Sequence, residues 1–195
     1  MTDRLVPAGD GHTELSEEDR QGLIPTYIAT RGELFDAEER NIVRALRERP
    51  PSIDELLDDA YLRQLHLRMF GQVWAWAGAY RLRETNIGIA PAQIPEAVRN
   101  LVADTRVWIE GAVFRPDELA VRFHHRLVHT HPFPNGNGRH GRIATDYLIL
   151  VLGSEQFTWG ATLDVETEEL RARYVKALQQ ADDGDYAALI EFVRL

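Results

Sequence analysis

His131-Pro132-Phe133-Pro134-Asn135-Gly136-Asn137-Gly138-Arg139-His140-Gly141-Arg142 is the stretch on which the reading of this chain turns. Apolar residues at helical spacing precede it, with Leu119, Ala120, Phe123, Leu127 and Val128 on one face. A second helical pattern follows it, from about Arg139 to Leu152. The stretch is therefore a glycine-rich loop, residues 131–138, between two helices. Glycine permits positive φ, so successive backbone N–H groups can turn into one concave nest. The helix that opens at the end of the loop offers free N–H groups and the positive end of its dipole, which favour an anion. Arg139 and Arg142 are three residues apart and share one helix face, where both can reach the same anion. His131, at the loop entrance, can take a proton near neutral pH. A Gly-Asn-Gly turn alone is only a turn. Loop, arginines and base together point to phosphoryl or nucleotidyl transfer.

Outward from the loop the chain reads as a mostly helical domain with one small β element. Residues 1–12 are polar and Gly-containing, a loose arm, and Ser16 caps a helix start at Glu17-Glu18. Asp36 to Glu39 open another helix, through Asn41 to Arg49, stopped by Pro50-Pro51. Ser52 opens the next, running to about Phe70, which carries His66 as a structural or surface residue. Arg81 to Ile94, with Gly88, Pro91 and Pro95 in and beside it, reads as a short hairpin. Helices are predicted again over Glu96–Gly111, from Pro116 to His129, from Thr167 to about Ala181, and from Asp185-Tyr186 onward. Residues 1–50 form an N-terminal arm and helices, a candidate regulatory segment, and residues 51–195 the catalytic domain, with no linker dividing a single compact unit.

The 195 residues suffice for one domain with a real core. At 44% hydrophobic and 27% charged, the composition excludes a long disordered or fibrous chain. The longest apolar run, Tyr147 to Leu152, is far short of the roughly 20 residues a membrane span needs. No signal-peptide pattern follows Met1, and a cytoplasmic location is expected. The absence of cysteine excludes disulfides, Cys-ligated zinc and a thiol nucleophile. A net charge of −9 opposes general nucleic-acid binding. Lys176 is the sole lysine, so the cations are almost all arginines, which fork onto phosphate oxygens and keep their charge.

The loop resembles the Fic family motif, H-x-F-x-[D/E]-G-N-G-R-x-x-R. Of its eight defined positions seven match, as His131, Phe133, Gly136, Asn137, Gly138, Arg139 and Arg142; the departure is Asn135, where the family has an acid. Phe70 to Arg81 is similar to the segment leading into the family's flap, Arg83-Glu84-Thr85-Asn86-Ile87 to its flap hairpin, and Arg171 to Leu178 with Gly184-Asp185-Tyr186 to its C-terminal helices. Within the family, the opening residues of the chain and the His-Pro-Phe-Pro-Asn-Gly-Asn-Gly-Arg variant at residues 131–139 resemble the group called mobile mystery protein B.

The resemblance implies a Fic-type helical domain with a β-hairpin flap, and transfer of AMP from ATP to a Ser, Thr or Tyr hydroxyl of a target protein. His131 would be the general base. Gly136, Asn137 and Gly138 would hold the phosphates, Asn137 adding its side-chain amide. Arg139 and Arg142 would hold the β- and γ-phosphates, and Phe133 would anchor the loop. The family acid binds Mg2+, so Asn135 would offer that ion only a neutral carbonyl oxygen, a weaker ligand for a hard cation. The flap residues Thr85, Asn86, Ile87, Gly88 and Ile89 would bind the target, by pairing with an extended segment.

Many members of the family are restrained by a helix of pattern [S/T]-x-x-x-E-[G/N] whose Glu pairs with the second motif arginine, here Arg142. Thr13 to Glu17 has only the first half of it, Thr30 to Glu33 is one residue short, and no C-terminal version is expected. Restraint by a separate helix-turn-helix partner, as a toxin with its antitoxin on a mobile element, is the expectation the resemblance gives. A metal at His124, His125 or His129 is not expected, because the stretch lacks the Glu of zinc proteases and Arg126 would repel a cation. Two alternative functions stand beside the main one: a phosphotransferase on the same fold, and a nucleotide-binding module without turnover.

Overall fold

The computed structural model describes residues 17–195; the expected arm, the Ser16 cap and most of the Thr13–Glu17 pattern lie outside them. The described residues form helices α1 (Glu17–Gln21), α2 (Arg31–Ala45), α3 (Ile53–Leu56), α4 (Asp59–Phe70), α5 (Ile94–Glu110), α6 (Pro116–Thr130), α7 (Asn137–Val151), α8 (Thr167–Asp182) and α9 (Ala187–Arg194). The pair α6 and α7 is central. Helix α5 packs on α6, α3 and α4 pack on α7, α2 packs on α4, and α8 pairs with α9, which also touches α6.

The two central helices can approach closely because of Gly141, where a Cβ would stand 2.8 Å from Val128 Cγ2. Pro116 at the first turn of α6, with Asp117 and Glu118 beside it, suits a helix N-terminus. The predicted face of Leu119, Ala120, Phe123 and Leu127 is buried against the core, which also holds Leu56, Leu62, Leu65, Met69, Phe70, Trp74 and Leu148.

Helix α2 starts at Arg31, five residues before the expected Asp36. Thr30 caps it reciprocally with Glu33: the Glu33 N–H donates to Thr30 Oγ1, and the Glu33 carboxylate accepts from the Thr30 N–H at 2.9 Å. It ends at Ala45 rather than Arg49. The single helix expected from Ser52 to Phe70 is broken at Leu57, whose ψ is 54°, and Asp58 recaps the chain through the Ala60 and Tyr61 N–H groups.

The expected hairpin over Arg81–Ile94 does not form, and no strand ladder occurs among the described residues; only an isolated bridge joins Leu23 and Trp74. The cause lies in the carbonyl groups. Arg81 is buried, and its guanidinium donates to the carbonyls of Arg83 and Ile89, while Thr85 Oγ1 donates to the Ile87 carbonyl. Oxygens that a ladder would use are taken by side chains, and the segment is an irregular loop.

Candidate active site

The loop that carries the motif runs between two residues of left-handed backbone. His131 ends α6 at φ 51°, and Gly136 opens α7 at φ 80°. Glycine is required at 136: besides the positive φ, a Cβ there would lie 2.6 Å from the Phe70 ring. The loop is held from inside by its own motif residues. Asn137 Oδ1 accepts from the Phe133 N–H at 2.9 Å, and Asn137 Nδ2 donates to the Phe133 carbonyl at 2.7 Å. Both ends of that amide, expected to serve phosphates, are thus engaged within the loop. Phe133 is buried and stacks on His66, ring centroids 3.8 Å apart.

His66 is buried, not exposed, and its tautomer follows from its partners. The Gly78 N–H donates to Nδ1 at 3.0 Å, so Nε2 carries the proton and donates to the Asn135 carbonyl at 3.0 Å. Burial, first, and His140 beside it hold the ring well below the usual imidazole range, so it stays neutral. Nothing local in the sequence marks this contact, which spans 69 residues.

His131 is 4% exposed. Burial, and then the Arg81 guanidinium, push its imidazole down to about 4, which leaves it unprotonated and able to accept a proton at neutral pH. Arg81 also fixes its backbone: Arg81 Nε donates to the His131 carbonyl at 2.7 Å. Gly88, at φ 102°, lies directly against His131, where a Cβ would stand 2.5 Å from His131 Cβ. Of the expected flap residues, Ile87 and Gly88 line the cavity with His131, while Thr85 and Ile89 are half-buried and Asn86 is exposed.

The cavity has a volume of about 970 Å³ and is walled by α2, the loop, the start of α7 and α8. Asn135, Gly136, Asn137, Gly138, Arg139 and Arg142 all line it, so the structure brings the predicted loop residues together with His131. No side chain caps α7, which leaves its first N–H groups to whatever enters there. At Gly138 a Cβ would meet nothing within 4 Å, so the space beside this glycine belongs to the cavity and not to packing. Arg142 makes no ion pair with another described residue, and Arg171 from α8 adds a third guanidinium to the wall.

Arg139 is not free. Its Nη1 lies 2.7 Å from Glu38 Oε2, and its guanidinium covers the Phe70 ring. Glu38, on α2, is 3% exposed and also accepts from Trp74 Nε1 at 2.7 Å. Sequence reading misses Glu38; its signal is the spacing of Leu34, Ala37, Asn41 and Ala45, all buried on the same face of α2.

The residues beside the loop do not make a dedicated Mg2+ cage. Asn135 Oδ1 accepts from the Gly136 N–H at 2.5 Å, and the nearby Glu38 carboxylate is engaged by Trp74 and Arg139. Mg2+ prefers several charged or water oxygens, and here the loop offers one neutral carbonyl.

Residues 56–149 match the Fic/DOC family. Protein adenylyltransferase fic-1 of Caenorhabditis briggsae is 30% identical over 146 residues, 73% of this chain and 26% of that protein. Protein adenylyltransferase Fic of Aedes aegypti is 26% identical over 134 residues, 67% of this chain and 26% of that protein. The chain thus spans about a quarter of the length of these curated relatives. Among solved structures, the BepC protein of Bartonella tribocorum with bound AMPPNP is similar with a TM-score of 0.67 at 18% identity, covering 92% of this chain and 97% of that one. The N-terminal Fic domain of a putative cell filamentation protein of Bartonella quintana, with bound ADP, has a TM-score of 0.65 at 19% identity, covering 87% and 86%. The matched residues contain the loop, His131 and nearly all of the central helix pair, so the segment that this chain shares with the Fic/DOC family is the one that carries the candidate site.

Proposed function

We propose that this protein is a protein adenylyltransferase, transferring AMP from ATP to a Ser, Thr or Tyr hydroxyl of a target protein. The observation that carries the reading is His131, buried and neutral, on the wall of one cavity with an uncapped helix N-terminus, Gly138, Arg139 and Arg142. The names of the relatives and the nucleotides in the similar structures support it. The target oxygen attacks the α-phosphorus, the bond from that phosphorus to the β-phosphate bridging oxygen breaks, and pyrophosphate leaves. His131 takes the hydroxyl proton. The α7 N-terminus, Arg142 and Arg139 hold the phosphate charge, so catalysis is chiefly positioning and charge stabilisation. Mg2+ would arrive with the phosphates, and no step is assigned to it. The loop Thr85–Ile89 would receive the target; within it Asn86 and Gly88 are exposed.

The test is incubation with a lysate and ATP labelled at the α- or the γ-phosphate, for the wild type and His131→Ala. The reading expects α-label on protein, lost in the variant. Transfer of γ-label would instead support a phosphotransferase, and nucleotide binding without label would support a module without turnover. The neutral Asn135 and the engaged Arg139 favour that last reading over the other alternative. The likeness to mobile mystery protein B is the sole support for a cytoplasmic toxin held by a helix-turn-helix partner. Growth arrest on expression, abolished by His131→Ala, is its test.

A further inference from the structure

A second cluster of metal-binding side chains stands on the wall of the same cavity. His125 and His129 lie one turn apart on α6, and Asp182 is the last residue of α8. Asp182 Oδ1 lies 2.8 Å from His125 Nε2 and 3.1 Å from His129 Nδ1, and the three ligand atoms all lie within 4.8 Å of one another. Around a tetrahedral Zn2+ ion, whose bonds are about 2.0–2.2 Å, neighbouring donor atoms stand about 3.3–3.6 Å apart. The cluster therefore needs only small side-chain movements to become a ligand set. His129 and Asp182 have the freedom for this, being exposed, while His125 is buried and fixed.

The surroundings favour a cation. Helices α6 and α8 both end here, at Thr130 and Asp182, and bring the negative ends of their dipoles together. Asp183 and Asp185 follow at once in the chain. The arginine that sequence reasoning sets against a metal is neutralised elsewhere: Arg126 Nη1 is paired with Asp104 at 2.7 Å. Arg122 is likewise occupied, its side chain on Glu118 and over the Tyr186 ring. The Tyr186 ring packs edge-on against the His125 imidazole, centroids 5.5 Å apart, with its Oη 3.5 Å from Nδ1, the ring nitrogen turned away from Asp182.

We propose that His125 Nε2, His129 Nδ1 and Asp182 bind one divalent transition-metal ion of the Zn2+ class. Two imidazole nitrogens and one carboxylate oxygen suit that class better than Mg2+ or Ca2+, which take oxygen ligands. Three protein ligands leave at least one position open. The site is separate from the phosphate loop and does not rest on adenylyl transfer.

The experiment is calorimetric titration of the tag-free full chain with Zn2+ alone, without nucleotide. The wild type should take up a single saturable equivalent. His129→Ala and Asp182→Asn, both at exposed positions, should keep the wild-type thermal midpoint and each weaken uptake at least ~10-fold. No saturable uptake by the wild type, or undiminished uptake in either variant, would overturn the proposal.

Discussion

Glu38 and Arg139 form an ion pair at 2.7 Å that ties α2 to the first turn of α7, with the carboxylate almost wholly buried. The same carboxylate holds Trp74, so removing it would leave an indole N–H and a guanidinium without partners. Glu38→Ala should therefore lose about 2–4 kcal/mol of stability, the lower end reflecting the partial exposure of Arg139. Glu38→Gln retains an acceptor for Trp74 and removes a negative charge from the cavity wall. It should bind ATP several-fold more tightly than the wild type, and gain less for AMP. Chemical denaturation and nucleotide titration of both variants check this; equal affinities for ATP in wild type and Glu38→Gln would show that the pair does not compete with phosphate.

The two glycines of the loop should fail differently. Gly136→Ala meets both a positive φ and the Phe70 ring, and should cost on the order of 1–3 kcal/mol of stability. Gly138 has helical backbone and open space, so Gly138→Ala should leave stability unchanged or raise it by up to about 1 kcal/mol. Its methyl group points into space that the cavity owns, and nucleotide affinity should fall about tenfold or more. Thermal melts beside nucleotide titrations separate the two effects. A Gly138→Ala protein with undiminished affinity would place the phosphates elsewhere.

Much of this site is legible in the order of the residues. Pro116, the helical spacing of α6 and the glycines of the loop delimit the two central helices, because those signals are local. Glu38 is not legible in the same way. The acids Asp36, Glu38 and Glu39 imitate a helix start, and the true start, the Thr30-x-x-Glu33 box, is the better signal. Once α2 begins at Arg31, Glu38 falls on the buried face. The irregular flap has no local sign at all, because Arg81 takes hydrogen-bond acceptors both from the segment itself and from His131, 50 residues away. His66 under Phe133 is hidden for the same reason: its partners come from three separate parts of the chain.

The base sets the pH dependence of the proposed reaction. With its imidazole held at about 4, His131 is already unprotonated throughout the neutral range. The ratio kcat/KM reports the free enzyme. It should show no loss assignable to His131 between pH 8 and about pH 5, and fall below that. An acid limb centred near 6.5 would mean that the base is solvated, contrary to its 4% exposure.

Stability should respond over a different window. Burial holds His124 at about 3 and His140 at about 4. An unfolded histidine titrates near 6.5, so as pH falls the unfolded chain takes up protons first. The stabilising contribution is complete above about pH 6.5 and is lost as pH falls from there to about 4 for His140 and to about 3 for His124, at roughly 1.4 kcal/mol per pH unit for each group. Urea midpoints should fall steadily from pH 7 to pH 5. A midpoint constant over that interval would show that these imidazoles protonate without cost in the folded protein.

Asn135 is where the loop departs from its family, and its surroundings make the substitution to aspartate a clean test. Asn135 Oδ1 accepts from the Gly136 N–H, and its carbonyl accepts from His66; an aspartate can keep both bonds. The two side chains are nearly the same size, so the loop should stay folded. What changes is one full negative charge on the wall that also carries Gly138, Arg139 and Arg142. Two opposing effects follow. Without a divalent cation the new charge repels the nucleotide phosphates, and affinity should fall. With Mg2+ the carboxylate is a hard, charged oxygen ligand, and attraction to the ion should exceed the repulsion. Asn135→Asp should therefore bind ATP more weakly than the wild type in EDTA, more tightly in millimolar Mg2+, and transfer AMP faster. Nucleotide titrations of both proteins with and without Mg2+ read the difference directly. If the metal dependence of binding is the same in both, residue 135 does not face the ion, and the weak protein ligand inferred for Mg2+ at this loop is not what limits the proposed reaction.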